Sequence, residues 1–388
     1  MTTETAGAGA LLALMRDGHA RTRSDLVKLT GLARSTVTLR LEALLDRRWI
    51  VPAEGPVSSG GRPATAFTFN TGARLVLAAD LGVMHARAAV TDLGARVLAE
   101  RRAGIAIAEG PEKVLDWLIE AFTGLLAETG HTLAEVCGVG VGLPGPVSHG
   151  TGRPVSPPIM PGWDGFDVPG RLGARLGAPV LVDNDVNIMA VGEHWSTGRG
   201  TAHMIFVKLG TGIGSGLITE HRLHRGAQGA AGDIGHIRAS AEAADALCRC
   251  GNTGCLEAVA GGGALAARLR AEGLDADTAW DVVRLVRAGD RTAVTLVRQA
   301  GREIGQVLAS LVNFFNPGVI VIGGELADAG EHLLAGVRES VYSRSLPLAT
   351  AHLNIRVSEL GEQVGIIGAA VLVIEETLSP DAVDRSLT

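Results

Sequence analysis

Hydrophobic positions in the first fifty residues follow helical spacing. Ala8, Leu11, Leu12 and Met15 fall at i, i+3, i+4 and i+7, one stripe of a short first helix that ends near Asp17-Gly18. Thr22-Arg23-Ser24-Asp25 opens a second helix as a variant capping box: the Thr22 hydroxyl bonds a free first-turn amide, and Asp25 favours the positive end of the helix dipole. Gly31 stops that helix, because glycine tolerates the left-handed conformation of a C-terminal cap. Val37, Leu41, Leu44 and Leu45 then form the buried stripe of a third helix from about Arg34 to Arg47, whose other face carries Arg34, Ser35, Thr36 and Arg40. After Trp49-Ile50-Val51, the turn-rich stretch Val57 to Pro63 leads into the alternating Thr65-Ala66-Phe67-Thr68-Phe69, which reads as a hairpin wing.

From Arg74 the pattern changes to apolar strands separated by glycine loops and amphipathic helices. This α/β alternation continues to about Glu376, and the tail from Ser379 reads as a polar end with no assigned role. The change of pattern places a boundary near Asn70-Thr71-Gly72, with one domain expected over 1–70 and a second over 71–388.

Charge divides at the same place. The first seventy residues carry nine basic and six acidic side chains, a net +3, whereas the remainder carries 26 and 35, a net −9 within the overall −6. A basic module joined to an acidic body suits a nucleic-acid-facing head and a body with another task. Two helices joined by Thr30-Gly31-Leu32-Ala33, the second with guanidinium and hydroxyl groups near its start, are what a helix-turn-helix requires. Arg34 or Arg40 suits the bidentate pair to guanine, and Ser35 and Thr36 suit phosphate or adaptable base contacts. Arg62, held extended between Gly61 and Pro63, suits a minor groove.

With 46% apolar residues and 20% charged, the chain is expected to fold into real cores. It shows no apolar run near the roughly 18 residues of a membrane span, and Met1-Thr2-Thr3-Glu4 does not begin a secretion signal, so a cytoplasmic protein without a membrane partner is expected. Three of its four cysteines lie close together, which fits a metal cluster in a reducing compartment.

The body's loops carry its candidate chemistry. Leu209-Gly210-Thr211-Gly212-Ile213-Gly214 follows the strand Met204 to Val207, and its glycines would bring backbone amides close to an anion. Asp183-Asn184-Asp185-Val186-Asn187 follows the strand Pro179 to Val182, where α/β folds collect ligands. Gly232-Asp233-Ile234-Gly235-His236, followed by Cys248-Arg249-Cys250 and Cys255, offers one imidazole and three thiolates, a tetrahedral zinc set. Cys137, inside an apolar strand, reads instead as a packed thiol. Trp163, in a Gly/Pro loop, either lies near the site or covers a core edge.

Together these motifs resemble the ROK family (repressors, open reading frames, kinases). The head, through Asp25-Leu26, Gly31-Leu32, Arg34 to Val37, Leu44-Leu45 and Gly60 to Pro63, looks like the winged helix fused to the family's repressors, with Ala33 where those repressors often place a capping Ser. The body is similar to the ROK domain in its second phosphate loop, in Gly140 to Pro146, in Asn184-Asp185, in the cysteine signature and in Asn313 to Gly324. The resemblance implies a two-lobed actin-like (ribonuclease H-like) α/β fold with a sugar in the cleft and a zinc loop near 236–255. It also implies Asn184, Asp185, Asp233, His236 and Glu257 as sugar contacts, Asp185 as the equivalent of the kinase base, and His236, Cys248, Cys250 and Cys255 as the zinc ligands.

Three departures qualify what the resemblance implies. A family kinase carries Asp-x-Gly-Gly-Thr-Lys in its first phosphate loop, and here Asp80-Leu81-Gly82 is followed by Val83, Met84 and His85. Asp233 stands where Glu is usual, and Pro158 where a sugar-contacting Asn is expected, so the pocket suits an unusual sugar or derivative, or is weakened. The resulting expectation is a sugar-responsive regulator, a repressor without enzymatic activity, binding operator DNA as a homodimer or a dimer of dimers. The alternative is an ATP-dependent, glucokinase-like sugar kinase with an accessory DNA-binding domain.

Overall fold

In the computed structural model, residues 7–53, 65–197, 199–239 and 245–387 are described. The head contains α1 (Ala8–Met15), β1 (Arg21–Thr22), α2 (Arg23–Thr30), α3 (Arg34–Asp46), β2 (Ile50–Pro52) and β3 (Ala66–Phe69). The capping box at the start of α2 forms in both directions: Asp25 N–H donates to Thr22 Oγ1 at 3.2 Å, and Thr22 N–H donates to Asp25 Oδ2 at 3.0 Å. Gly31 ends the helix at φ +70°, in the left-handed conformation expected there. The helical stripes meet in one core of Leu11, Leu12, Met15, Leu26, Val37, Leu41 and Leu44, closed by Trp49 and Phe67. β3 pairs antiparallel with both β1 and β2, forming a wing sheet. The turn-rich loop Val57 to Pro63, with Arg62, lies outside the described residues.

The body is built from two sheets of one design. The first lobe has β4 (Leu75–Leu81), β5 (Ala86–Asp92), β6 (Val97–Ala103), α4 (Pro111–Glu128), β7 (Val136–Leu143), the short pair β8 (Val147–Ser148) and β9 (Arg153–Pro154), α5 (Val168–Leu176), β10 (Val180–Asn184) and α6 (Asp185–Ser196). The second has β11 (Met204–Leu209), β12 (Ile213–Thr219), β13 (Arg222–His224), α7 (Leu256–Ala260), α8 (Gly262–Ala271), α9 (Ala279–Arg287), α10 (Arg291–Phe315), β14 (Val319–Gly323), α11 (Glu331–Arg344), α12 (Pro347–Thr350) and β15 (Asn354–Val357). The chain returns through α13 (Val364–Thr377) and ends in α14 (Pro380–Leu387). The sheet orders are β6-β5-β4-β7-β10 and β13-β12-β11-β14-β15. In each, the first three strands run antiparallel as a meander and the last two add in parallel, the duplicated topology of an actin-like fold.

One face of the first sheet packs on α4 and α5 through Leu77, Ala79, Val139 and Val141. The other face, with Val76, Ala78 and Ala89, packs on α13 and is continuous with the core of the head. The tail read as a polar end is α14, whose Val383 is fully buried. Gly9 N–H donates to Asp384 Oδ1 at 2.8 Å, and Gly9 lies so close to Pro380 that a Cβ there would stand 2.2 Å from the proline carbonyl oxygen. One buried residue, Val383, in an eight-residue helix is too weak a pattern to be read along the chain. Among the described residues, no helix is long and apolar enough to cross a membrane.

Candidate functional site

The parallel strands β7 and β10 and the hairpin β11–β12 bring their ends together at a cleft of about 520 Å³, within the size range of small-molecule sites. Asn184, at the end of β10, caps α6. Its Oδ1 accepts from Val186 N–H at 3.0 Å, and its Nδ2 donates to the Gly145 carbonyl at 3.0 Å. Beneath it, buried Asp183 accepts from Asn187 Nδ2 at 2.9 Å and from Arg225 Nε at 2.7 Å, tying the first lobe to the segment after β13. Asn184, Asp185, Asp233, His236 and Glu257 all line this cleft, so the structure brings the five residues together. Pro158, Val83, Met84 and His85 line it too, with Met84 64% exposed. Trp163 does not: it is fully buried and donates its indole N–H to the Ile107 carbonyl at 2.9 Å, a core residue beneath α4.

Three further residues belong to the site. Lys208, the penultimate residue of β11, places its ammonium 2.5 Å from Asp185 Oδ2. Burial opposes its charge, but the carboxylates of Asp185, Asp80 and Glu325 outweigh that and hold it above the ordinary lysine value. For Asp80 burial wins, raising its carboxyl despite Lys208 and His85. Asn187 is buried and lines the cleft, and its Oδ1 has no hydrogen-bond partner among the described residues. Arg249 reaches from the cysteine loop to within 3.5 Å of Glu257. A lysine interrupting the apolar run Met204 to Leu209 was the sequence signal for the first of these. The run Asp183 to Asn187 carries the signal for the second, and the third depends on folding.

The second glycine loop is partly occupied from within. Glu257 accepts from Ile213 N–H at 3.2 Å, and a Cβ at Gly212 would stand 2.2 Å from its Oε2. Glu325 lies against Gly210 in the same way, with its Oε2 buried and unpartnered among the described residues.

Beside the cleft, His236, Cys248, Cys250 and Cys255 bring four ligand atoms within 4.8 Å of one another, a cluster that could hold a metal ion. Cys248 Sγ lies 3.6 Å from His236 Nδ1, and Cys250 Sγ lies 3.7 Å from Cys255 Sγ. A tetrahedron with arms of about 2.3 Å has edges of about 3.8 Å, so both separations fit zinc. Gly251 at φ +90° makes the tight turn that folds the loop back, with Cys248 N–H donating to the Asn252 carbonyl at 2.8 Å. Burial pushes the Cys255 thiol up to about 12, while a backbone hydrogen bond from Asn252 brings Cys250 down to about 7. With Nδ1 turned to the thiols, His236 Nε2 is left 4.0 Å from Asp233 in the cleft.

On the head, Arg34 and Ser35 are exposed at the start of α3, and Thr36 and Arg40 are half-buried. Arg62 lies outside the described residues.

Comparison with known proteins follows the same division. The ROK family profile matches residues 76–376. The xylose repressor of Caldicellulosiruptor bescii is 28% identical over 383 residues, covering 95% of each chain. The crystal structure of a ROK family transcriptional regulator, a homologue of the E. coli MLC protein, superposes with a TM-score of 0.84 at 26% identity over 98% of both chains. A ROK family glucokinase from Streptomyces griseus, solved with glucose and AMPPNP, is 30% identical with a TM-score of 0.68. It is covered over 98% of its own length but over 77% of this chain.

Proposed function

The chain belongs to the ROK family, and we propose that within it the protein is a sugar-responsive transcriptional repressor acting in the cytoplasm. The observation that carries this reading is the extent of the similarity: repressor-type relatives match head and body alike, whereas the glucokinase matches the body. Residues 1–70 form the DNA-binding unit, with Arg34, Ser35, Thr36, Arg40 and Arg62 as its contacts to operator DNA. Residues 71–388 bind a monosaccharide or sugar derivative through Asn184, Asp185, Asp233, His236 and Glu257. Carboxylates and amides suit that ligand because a polyol offers paired donors and acceptors, and each unmatched hydroxyl would leave a buried partner unpaired.

Zinc is the metal that this donor set fits, held by His236, Cys248, Cys250 and Cys255. It would fix the loop from which His236 and Arg249 reach the cleft. The protein works as a homodimer, presenting two heads to two half-sites.

Phosphoryl transfer is absent from this reading for two reasons. Branched Val83, with Met84 and His85 after it, fills the hairpin where a nucleotide phosphate would need close backbone approach. Asp185, the kinase-base equivalent, already accepts from the Lys208 ammonium at Oδ2, a bond it would have to weaken to take a sugar hydroxyl proton there.

The test is fluorescence anisotropy on DNA from the protein's own upstream region, titrated with monosaccharides at fixed salt. Specific binding that one sugar weakens is the expected result. No specific binding, together with ADP release from ATP and a hexose in a coupled assay, would return the protein to the kinases.

A further inference from the structure

Two helices connect the cleft to the head. α6 begins with Asp185, and α13 begins against Asp80, whose Oδ2 would lie 2.3 Å from a Cβ at Gly365. At 12 and 14 residues they are about 18 and 21 Å long. They pack backbone to backbone: a Cβ at Gly368 would stand 1.8 Å from the Ile188 carbonyl oxygen, and one at Gly192 would stand 2.3 Å from that of Val364. The two helices are therefore in direct backbone contact.

Their far ends meet the head at a polar joint. The Trp195 ring on α6 carries two guanidiniums, Arg199 at 5.1 Å and Arg16 at 5.8 Å from its centroid. Both also bind one carboxylate oxygen on α13, Glu375 Oε1, at 2.7 and 2.5 Å. Arg16 caps α1 of the head, and its side chain is 14% exposed. Nearby, Glu193 of α6 is bolted to the second lobe through Arg356 and Ser358, both at 2.7 Å. The last turn of α6 thus touches both lobes and the head. The seam between α1 and α14 instead holds through apolar contact and the Gly9–Asp384 hydrogen bond. A carboxylate shared by two guanidiniums can release one and keep the other, so the joint offers a place where two arrangements can be exchanged.

We propose that α6 and α13 move as one body between the cleft and the head, and that Arg16, Trp195 and Glu375 are the positioning residues through which cleft occupancy sets the stance of the reading helices. This rests on the regulator reading above. A sugar that bridges α6 and the second lobe rotates the pair, Glu375 passes from Arg16 to Arg199, and the head is released. The coupling exists only if the sugar binds the two arrangements with different affinity.

The test uses the full chain, with D-xylose and D-glucose as probes, sugar affinity by calorimetry and DNA affinity by anisotropy with and without sugar. Wild-type protein should lose DNA affinity by a factor within the usual coupling range of about 5 to 150 when sugar is bound. Arg16→Gln and Trp195→Leu should bind the sugar as wild type does, yet show a DNA-affinity ratio within about threefold of one, with Arg16→Lys restoring part of it. Should Arg16→Gln loosen the head itself, Glu375→Gln at an exposed position tests the same joint. Variants that keep the full wild-type ratio overturn the joint and leave the regulator standing. A wild-type protein that binds either sugar by calorimetry yet keeps its DNA affinity unchanged overturns the sugar-responsive reading and the joint with it.

Discussion

The two lobes place opposite charges at the same point of one design. In the first sheet the central strand ends Asp80-Leu81 before Gly82, and in the second it ends Lys208-Leu209 before Gly210. Each charged residue is the penultimate one of its strand, and both face the cleft's interior cluster, where each appears among the causes of the other's shift. They are not equal partners. Lys208 is held charged by three carboxylates, whereas burial moves Asp80 toward its neutral form. A duplicated scaffold has therefore produced a site in which the second lobe supplies a fixed cation and the first lobe supplies two of the three acids around it, Asp80 and Asp185, with Glu325 added from the cation's own lobe.

The largest way to break that asymmetry is Lys208→Met. It leaves Asp185, Glu325 and Asp80 facing one another, so unfolding in urea should lose about 3 kcal/mol of stability at neutral pH, as expected for removing one partner of a buried pair. Asp80→Asn should cost only about 1 kcal/mol. Equal losses for the two variants would remove the distinction between the lobes.

The second contrast is the metal loop, which the first lobe lacks among its described residues. Cys255→Ser should take bound zinc from about one ion per chain to near none by elemental analysis. Amide exchange should rise across 245–255 while β4 keeps its protection. Unchanged zinc content would exclude this ligand set.

The smallest effect lies where the lobes touch. His194 Nε2 on α6 is 3.4 Å from His221 Nδ1 at the β12–β13 turn. Burial first, then His221 and Arg199, lower the His194 value below 6.5. The unfolded chain then takes up the proton before the folded one, so stability is flat above that pH and declines as pH falls below it. His194→Asn should flatten this decline in thermal melts between pH 7 and pH 5, and an unchanged slope would assign the decline to other groups.

What could be read from the sequence was what neighbouring residues encode. The stripes of α1 to α3, the Thr22–Asp25 box and the Gly31 stop depend on residues within one or two turns, and all are present. The four metal-cluster residues lie within twenty positions of one another, and glycines close the loop. Lys208 was not read as part of the site because its partner lies 23 positions away on the other lobe. Neighbouring residues do not decide the role of Trp163, because it is fixed by the packing of α4 and a bond to Ile107, 56 positions off. The helix α14 escaped notice because its apolar positions are few and its partner is α1, at the opposite end of the sequence.

That last contact sets a timetable for biosynthesis. Gly9 and Asp384 are 375 positions apart. At ribosomal rates of 5 to 20 residues per second, a head completed at about residue 70 waits roughly 15 to 65 s for the helix it rests on. A nascent chain can therefore fold its winged helix early yet cannot seat it, and reading heads reach their working stance only on chains whose second lobe has already been made.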